Sequence, residues 1–194
     1  VPSHTWPKVC VFCASSLTID QRYVDLASEV GAALAARRWS LVSGAGSISM
    51  MGAVARAARA GGGHTIGVIP QALVDMEVAD HEADELIVTH DMRQRKGIMD
   101  ERSDAFLALP GGIGTLEELM EVWTAKHLGM HRKPVVILDP WGDYTLLREL
   151  VAHWEMRGFV KDSTAAQVRW TTSIEEALDA IQSAWAAASP FGED

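Results

Sequence analysis

The chain is poor in cysteine, in tyrosine and in positive charge, and it has no long apolar run. Cys10 and Cys13 are the only cysteines in 194 residues, too few for a disulfide framework. They sit in the apolar segment Lys8-Val9-Cys10-Val11-Phe12-Cys13-Ala14. A C-x-x-C pair can be half of a redox or zinc site, but zinc wants two further soft ligands. The simpler reading is two reduced cysteines in a buried strand, as suits a cytoplasmic protein. No apolar stretch approaches the roughly 20 residues of a membrane helix. The first residues lack a charged-then-apolar pattern, so no export signal is expected. The sequence starts at Val1 rather than Met, as a trimmed chain would. Lys+Arg is 17 against 26 for Asp+Glu, a net charge of -9 that argues against a nucleic-acid polymer as partner. From the seven histidines no metal site is expected.

What is present is an alternation of short aliphatic runs and helical segments. Strands are expected at Lys8 to Ala14, Ser40 to Ser43, Thr65 to Ile69, Glu85 to Thr89, Ala105 to Leu109, Val135 to Leu138 and Val168 to Thr171. Most are continuous runs, the mark of parallel strands buried on both faces. Thr18 with Gln21, and Thr172 with Glu175, have capping-box spacing ahead of helices. The expected fold is α/β: a single-domain, Rossmann-like, doubly wound and mostly parallel sheet over residues 8–187, with tails at 1–7 and 188–194. Trp123 and Trp154 lie on apolar helical stripes, which assigns them to core or dimer packing.

In such folds ligands sit at the carboxyl ends of the strands. Three loops there matter. Ala14-Ser15-Ser16 offers hydroxyls to a phosphate or sugar, or simply makes a turn. Ser43-Gly44-Ala45-Gly46-Ser47-Ile48-Ser49-Met50-Met51-Gly52 follows the second strand and has Ser49 where a dinucleotide fingerprint has its third glycine. It also lacks a Walker lysine, and so reads as a tight turn with backbone donors. Leu109-Pro110-Gly111-Gly112-Ile113-Gly114-Thr115-Leu116-Glu117-Glu118 carries the strongest signal, a glycine loop feeding a helix N-terminus, which is an anion site. A competing explanation is a Thr115–Glu118 capping box with acids in the first turn. The helix before it, Met92 to Met99, has Arg95 and Lys96 on its inward stripe. Long cations can snorkel, but inward cations more often have an anionic partner, here Glu118, a ligand phosphate, or both.

Together these residues resemble one family. Pro110-Gly111-Gly112-x-Gly114-Thr115-x-x-Glu118 matches P-G-G-x-G-T-x-x-E, and Met92-x-x-Arg95-Lys96-x-x-Met99 resembles M-H-x-R-K-x-x-M. Both motifs, in this order and spacing, are characteristic of the LOG (Lonely Guy) family of cytokinin riboside 5'-monophosphate phosphoribohydrolases. The resemblance spans about residues 8–185. Members also carry the label lysine decarboxylase, but no lysine here has a pyridoxal-phosphate context. The resemblance implies hydrolysis of an N6-substituted AMP to free base and ribose 5-phosphate, without a cofactor, by a homodimer. It implies Arg95 and Glu118 as catalytic, and Ser16, Glu77, Lys96, Gly112, Gly114, Thr115, Glu117 and Thr124 as substrate-binding. On this reading Arg95 keeps Glu118 ionised and holds phosphate or sugar hydroxyls bidentately, while Lys96 is a point charge for the phosphate. Asp75, Glu77 and Asp80 fall on a loop expected to be mobile. The departures are Arg93 in place of His, and Ala45 and Ser49 in place of glycines. A broader AMP nucleosidase, or a non-catalytic nucleotide or molybdenum-cofactor carrier, are the alternatives; a carrier needs the glycine nest but neither Glu118 nor Arg95.

Overall fold

The computed structural model describes residues 5–76 and 78–188. Seven strands form one sheet: β1 (Lys8–Phe12), β2 (Ser40–Ser43), β3 (Thr65–Pro70), β4 (Glu85–Thr89), β5 (Ala105–Ala108), β6 (Val135–Leu138) and β7 (Val168–Thr171). The helices are α1 (Gln21–Ala36), α2 (Ser49–Ala60), α3 (Gln71–Val74), α4 (Met92–Glu101), α5 (Ile113–His127), α6 (Thr145–Met156), α7 (Asp162–Ala165) and α8 (Ile174–Ala188). The strand order is β4-β3-β2-β1-β5-β6-β7, and every pairing is parallel. Each expected strand is present. The sheet is wholly rather than mostly parallel.

Successive side chains of a strand point to opposite faces, and β1 shows the consequence. Val9, Val11 and Cys13 pack with Leu26 and Val30 of α1, Met50 and Val54 of α2, and Leu178 and Ile181 of α8. Cys10 and Phe12 pack with Met99 of α4, Leu119 and Trp123 of α5, and Leu147 and Val151 of α6. Both cysteines are free and buried, one under each helical layer. Trp123 is a core residue whose indole N–H donates to the Thr164 carbonyl at 3.0 Å.

The chain leaves β1 toward one face and β5 toward the other. The ends of these neighbouring strands therefore part, and the crevice between them is the topological switch point where open α/β sheets bind ligands. The glycine loop after β5 and the Ser15-Ser16 loop after β1 are its two sides.

Three helix starts differ from expectation. Asp20, not Thr18, caps α1, accepting from the Arg22 amide at 3.0 Å; the Thr18 amide instead donates to Ser16 Oγ. Before α8 the reciprocal pair is shifted by one residue: Ser173 Oγ accepts from the Glu176 amide, and Glu176 accepts from the Thr172 amide. The third start is that of α5, which Gly112 caps. Thr115 is thus already inside the helix, and Glu117 and Glu118 lie in its second turn. Capping does not explain Glu118.

Candidate active site

Helix α4 delivers Arg95. Asp91 caps it by accepting from the Gln94 amide at 2.8 Å, and Gln94 Oε1 accepts in turn from the His90 amide. Arg95 and Met99, one turn apart, are its buried residues, and Arg95 is only 6 % exposed. The guanidinium is held from two sides. Nε donates to the Val68 carbonyl within β3 (3.0 Å), and Nη2 donates to the Gly44 carbonyl after β2 (3.2 Å). A side chain at Gly44 would put its Cβ 1.8 Å from Arg95 Nη2, so the close approach demands glycine. The remaining arm, Nη1, lies 3.5 Å from Glu118 Oε1, an ion pair longer than a hydrogen bond, and 3.8 Å from Met92 Sδ. With two arms committed to backbone carbonyls, Arg95 is not free to clamp a phosphate bidentately, contrary to the chemical expectation for it.

Helix α5 delivers Glu118, whose side chain is 14 % exposed. Burial raises its carboxyl pKa to about 7; Arg95 pulls the other way, Glu117 and Glu121 reinforce the rise, and Lys96 opposes it. The expectation that Arg95 keeps Glu118 fully ionised is therefore corrected. Desolvation outweighs the cation, and near neutrality both protonation forms are populated, as a general acid–base requires.

Lys96 makes salt bridges with Glu117 and with Glu121, residues one turn apart on α5. Its ammonium is already neutralised by two carboxylates, so it reaches a ligand phosphate only by giving one up. Glu121 is the site residue that motif matching missed; its signal is the four-residue spacing from Glu117 opposite an inward lysine. Lys96, Glu117, Glu118, Glu121 and Thr124 line a cavity of about 510 Å³ between α4 and α5, with Met99 and Met120 among its apolar walls.

The glycine loop lies at the strand ends. Gly112 and Gly114 are exposed and face open space where a Cβ would project, leaving their backbone approachable. Gly111 is needed for a different reason: a Cβ there would come 2.1 Å from the hydroxyl oxygen of Thr115, which is buried beneath the loop. Ser16 is exposed, with its hydroxyl 2.9 Å from that of Thr18, and its carbonyl accepts from Ser49 Oγ at 2.5 Å. Thus α4 and α5 bring Arg95, Lys96, Glu117 and Glu118 together, with Thr124 one turn beyond Glu121. Ser16, Gly112, Gly114 and Thr115 belong to the neighbouring crevice.

Glu77 lies outside the described residues. The segment after it is fastened down: Ser47 donates its amide to the Val78 carbonyl, the Asp80 amide donates to the Ala45 carbonyl, and Asp80 is buried against Arg59 by bonds of 2.8 and 3.1 Å. Asp80 is therefore an anchor and not part of a mobile loop. Ala45 and Ser49 adopt φ of 54° and 53°. These left-handed positions, strained for any side chain, are the two where the LOG pattern has glycine.

Among the described residues, no helix is long and apolar enough to cross a membrane. Residues 51–181 match the family profile described as "Possible lysine decarboxylase". A protein of Mycobacterium tuberculosis named cytokinin riboside 5'-monophosphate phosphoribohydrolase is 51 % identical over 172 residues, covering 89 % of this chain and 91 % of its own. One of the same name from Arabidopsis thaliana is 44 % identical over 156 residues, covering 80 % of this chain and 68 % of its own. Among solved structures, the molybdenum cofactor carrier protein of Chlamydomonas reinhardtii superposes with a TM-score of 0.72 at 24 % identity, covering 93 % of this chain and 99 % of that one. The molybdenum cofactor binding protein of Rippkaea orientalis gives 0.69 at 23 %, covering 92 % and 96 %. At that identity the likeness is one of fold.

Proposed function

The chain belongs to the LOG family, and on that premise we propose that it hydrolyses N6-substituted adenosine 5'-monophosphates to the free base and ribose 5-phosphate. The observation that carries this reading is the buried Glu118 facing Arg95, with a pKa near neutrality, beside an open glycine loop at a helix N-terminus. A carrier has no use for such a carboxylate.

In the proposed mechanism the 5'-phosphate rests on the backbone N–H groups of Gly112 and Gly114 with the Thr115 hydroxyl, where the α5 dipole favours an anion. Holding the phosphate fixes the ribose through a part of the substrate that does not react. As the C1'–N9 bond breaks, its electron pair leaves with the base and positive charge develops on the ribose ring. The ionised form of Glu118 stabilises that charge and accepts a proton from the attacking water. The hydroxide forms the new bond to C1', and the proton passes to the departing base. Arg95 aims Glu118 and balances its charge. Ser16 contacts the nucleotide from the loop after β1, Glu77 is a further nucleotide-binding residue, and Glu117, Lys96 and Thr124 shape the wall against which it lies.

We further propose a cytoplasmic homodimer. Leu128 and Met130, 65 % and 75 % exposed, line the α4–α5 cavity and give it an uncovered apolar lip. Light scattering reads the mass directly; a monomer at micromolar concentration removes this part of the proposal.

The activity is tested by incubating the protein with N6-isopentenyladenosine monophosphate and with AMP, separating the products by chromatography. Free base and ribose 5-phosphate in equal amounts, faster from the N6-substituted nucleotide, are expected. Equal rates give the broader AMP nucleosidase, and binding without base release gives the carrier.

A further inference from the structure

Two neighbouring cations on α4 face three carboxylates on α5, and they do not share them evenly. Arg95 faces Glu118. Lys96 is bonded by Glu117 and by Glu121. Residues 117 and 121 are one turn apart and lie on one side of the helix, while Glu118 is rotated about 100° from Glu117. The lysine therefore sits in a bracket made by the two outer acids, next to Glu118 but bonded to neither of its oxygens. Glu117 and Glu121 are about half exposed (51 % and 49 %), whereas Glu118 is not. The two kinds of carboxylate thus occupy different environments on the same wall of the same cavity.

We propose that Glu121 is a positioning residue: with Glu117 it holds the Lys96 ammonium away from Glu118, so that Arg95 alone pairs with the reacting carboxylate. This deepens the proposed function and rests on its assignment of Glu118.

The consequence is electrostatic. A lysine released from Glu121 is left with one carboxylate partner and lies within reach of a second, Glu118. A cation brought against Glu118 favours its ionised form and makes it a weaker proton acceptor. The charged and titratable groups around Glu118 are Arg95 and Lys96 from α4, Glu117 and Glu121 from α5, and the Cys10 thiol from β1; Cys13, on the far side of the sheet, feels Glu118 only electrostatically. Glu121 is the carboxylate of this set that no motif position claims, and the bracket gives it a task.

The test reads Glu118 directly, without turnover. Protein carrying glutamate labelled with carbon-13 at the side-chain carboxyl is titrated by NMR, and the Glu118 signal is assigned by its loss in Glu118→Gln. In wild type the midpoint falls near neutrality. In Glu121→Gln it moves down by about one pH unit as Lys96 turns to Glu118, and the pH limb of base release moves with it. In a Lys96→Met background the same Glu121→Gln change moves the midpoint by less than half as much. An unmoved midpoint in Glu121→Gln, or an equal shift in both backgrounds, overturns the proposal. If Glu121→Gln does not fold, Glu117→Gln opens the other side of the bracket and must shift the midpoint the same way; no shift there overturns it equally. Because the titration needs no substrate, a failed base-release assay and a failed bracket are told apart.

Discussion

Replacing Glu118 by Gln removes the charge while nearly preserving the shape, and the structure sets the size of two opposite effects. Burial raises the carboxyl pKa of Glu118 from 4.5 to about 7. A carboxyl group raised on folding stabilises the fold fully below its unfolded pKa, and that contribution is lost as pH rises through the folded value. At about pH 8 the wild type therefore carries a cost of up to about 3 kcal/mol for ionising Glu118 in place. A neutral amide at this position would carry none. The substitution does release Arg95 Nη1 from its ion pair, which offsets part of the gain, but Nε and Nη2 keep the Val68 and Gly44 carbonyls. Nor is a cap lost, since Gly112 starts the helix. A net gain of about 1–2 kcal/mol at pH 8 is expected, or roughly 2–8 °C in Tm for a chain of this length. The gain fades toward about pH 4.5 and is gone below it, where Glu118 is protonated in both folded and unfolded chains. On the high-pH plateau base release falls at least about a hundredfold. Thermal melts at the two pH values, with product chromatography alongside, check both limbs. A variant that is less stable by the same margin at both pH values refutes the buried-carboxylate argument, and retained base release removes Glu118 from the mechanism.

Other consequences follow from the same geometry. Gly44→Ala places a methyl group on the Arg95 guanidinium and should lower kcat by about tenfold or more at a stability cost of about 1–3 kcal/mol; steady-state kinetics and denaturant melts read both. Arg95→Ala should abolish base release and destabilise the fold by about 3–5 kcal/mol, because the buried Val68 and Gly44 carbonyls lose their donors and a void is left; urea titration measures the second effect. Ala45→Gly, relieving a φ of 54°, should stabilise by about 1 kcal/mol with activity unchanged; a lower Tm would show that no strain is stored there.

The sheet was legible because its strands are unbroken aliphatic runs between helical stripes, and such runs have few other ways to be buried. Helix starts were less so. Thr18 and Asp20, Thr172 and Ser173, Gly112 and Thr115 are rival caps within a few residues, and the chain's path, not residue type, selects among them. The meeting of Arg95 with Glu118 was foreshadowed by cations on an inward stripe. The means by which Arg95 is held was not, because its partners are the carbonyls of Gly44 and Val68, which every residue possesses. The raised pKa of Glu118 depends on how much of α4 and β1 covers it, a sum over long-range packing that no local spacing encodes.

The central claim is that a buried carboxylate, ionising near neutrality, drives cleavage of a nucleotide's glycosidic bond. The most direct measurement is single-turnover base release from N6-isopentenyladenosine monophosphate across pH, with Glu118→Gln alongside. The account predicts a rate that rises with pH to a plateau, with its midpoint near 7, and no such limb in the variant. Base release that is flat across that range, or the same limb in Glu118→Gln, would contradict it.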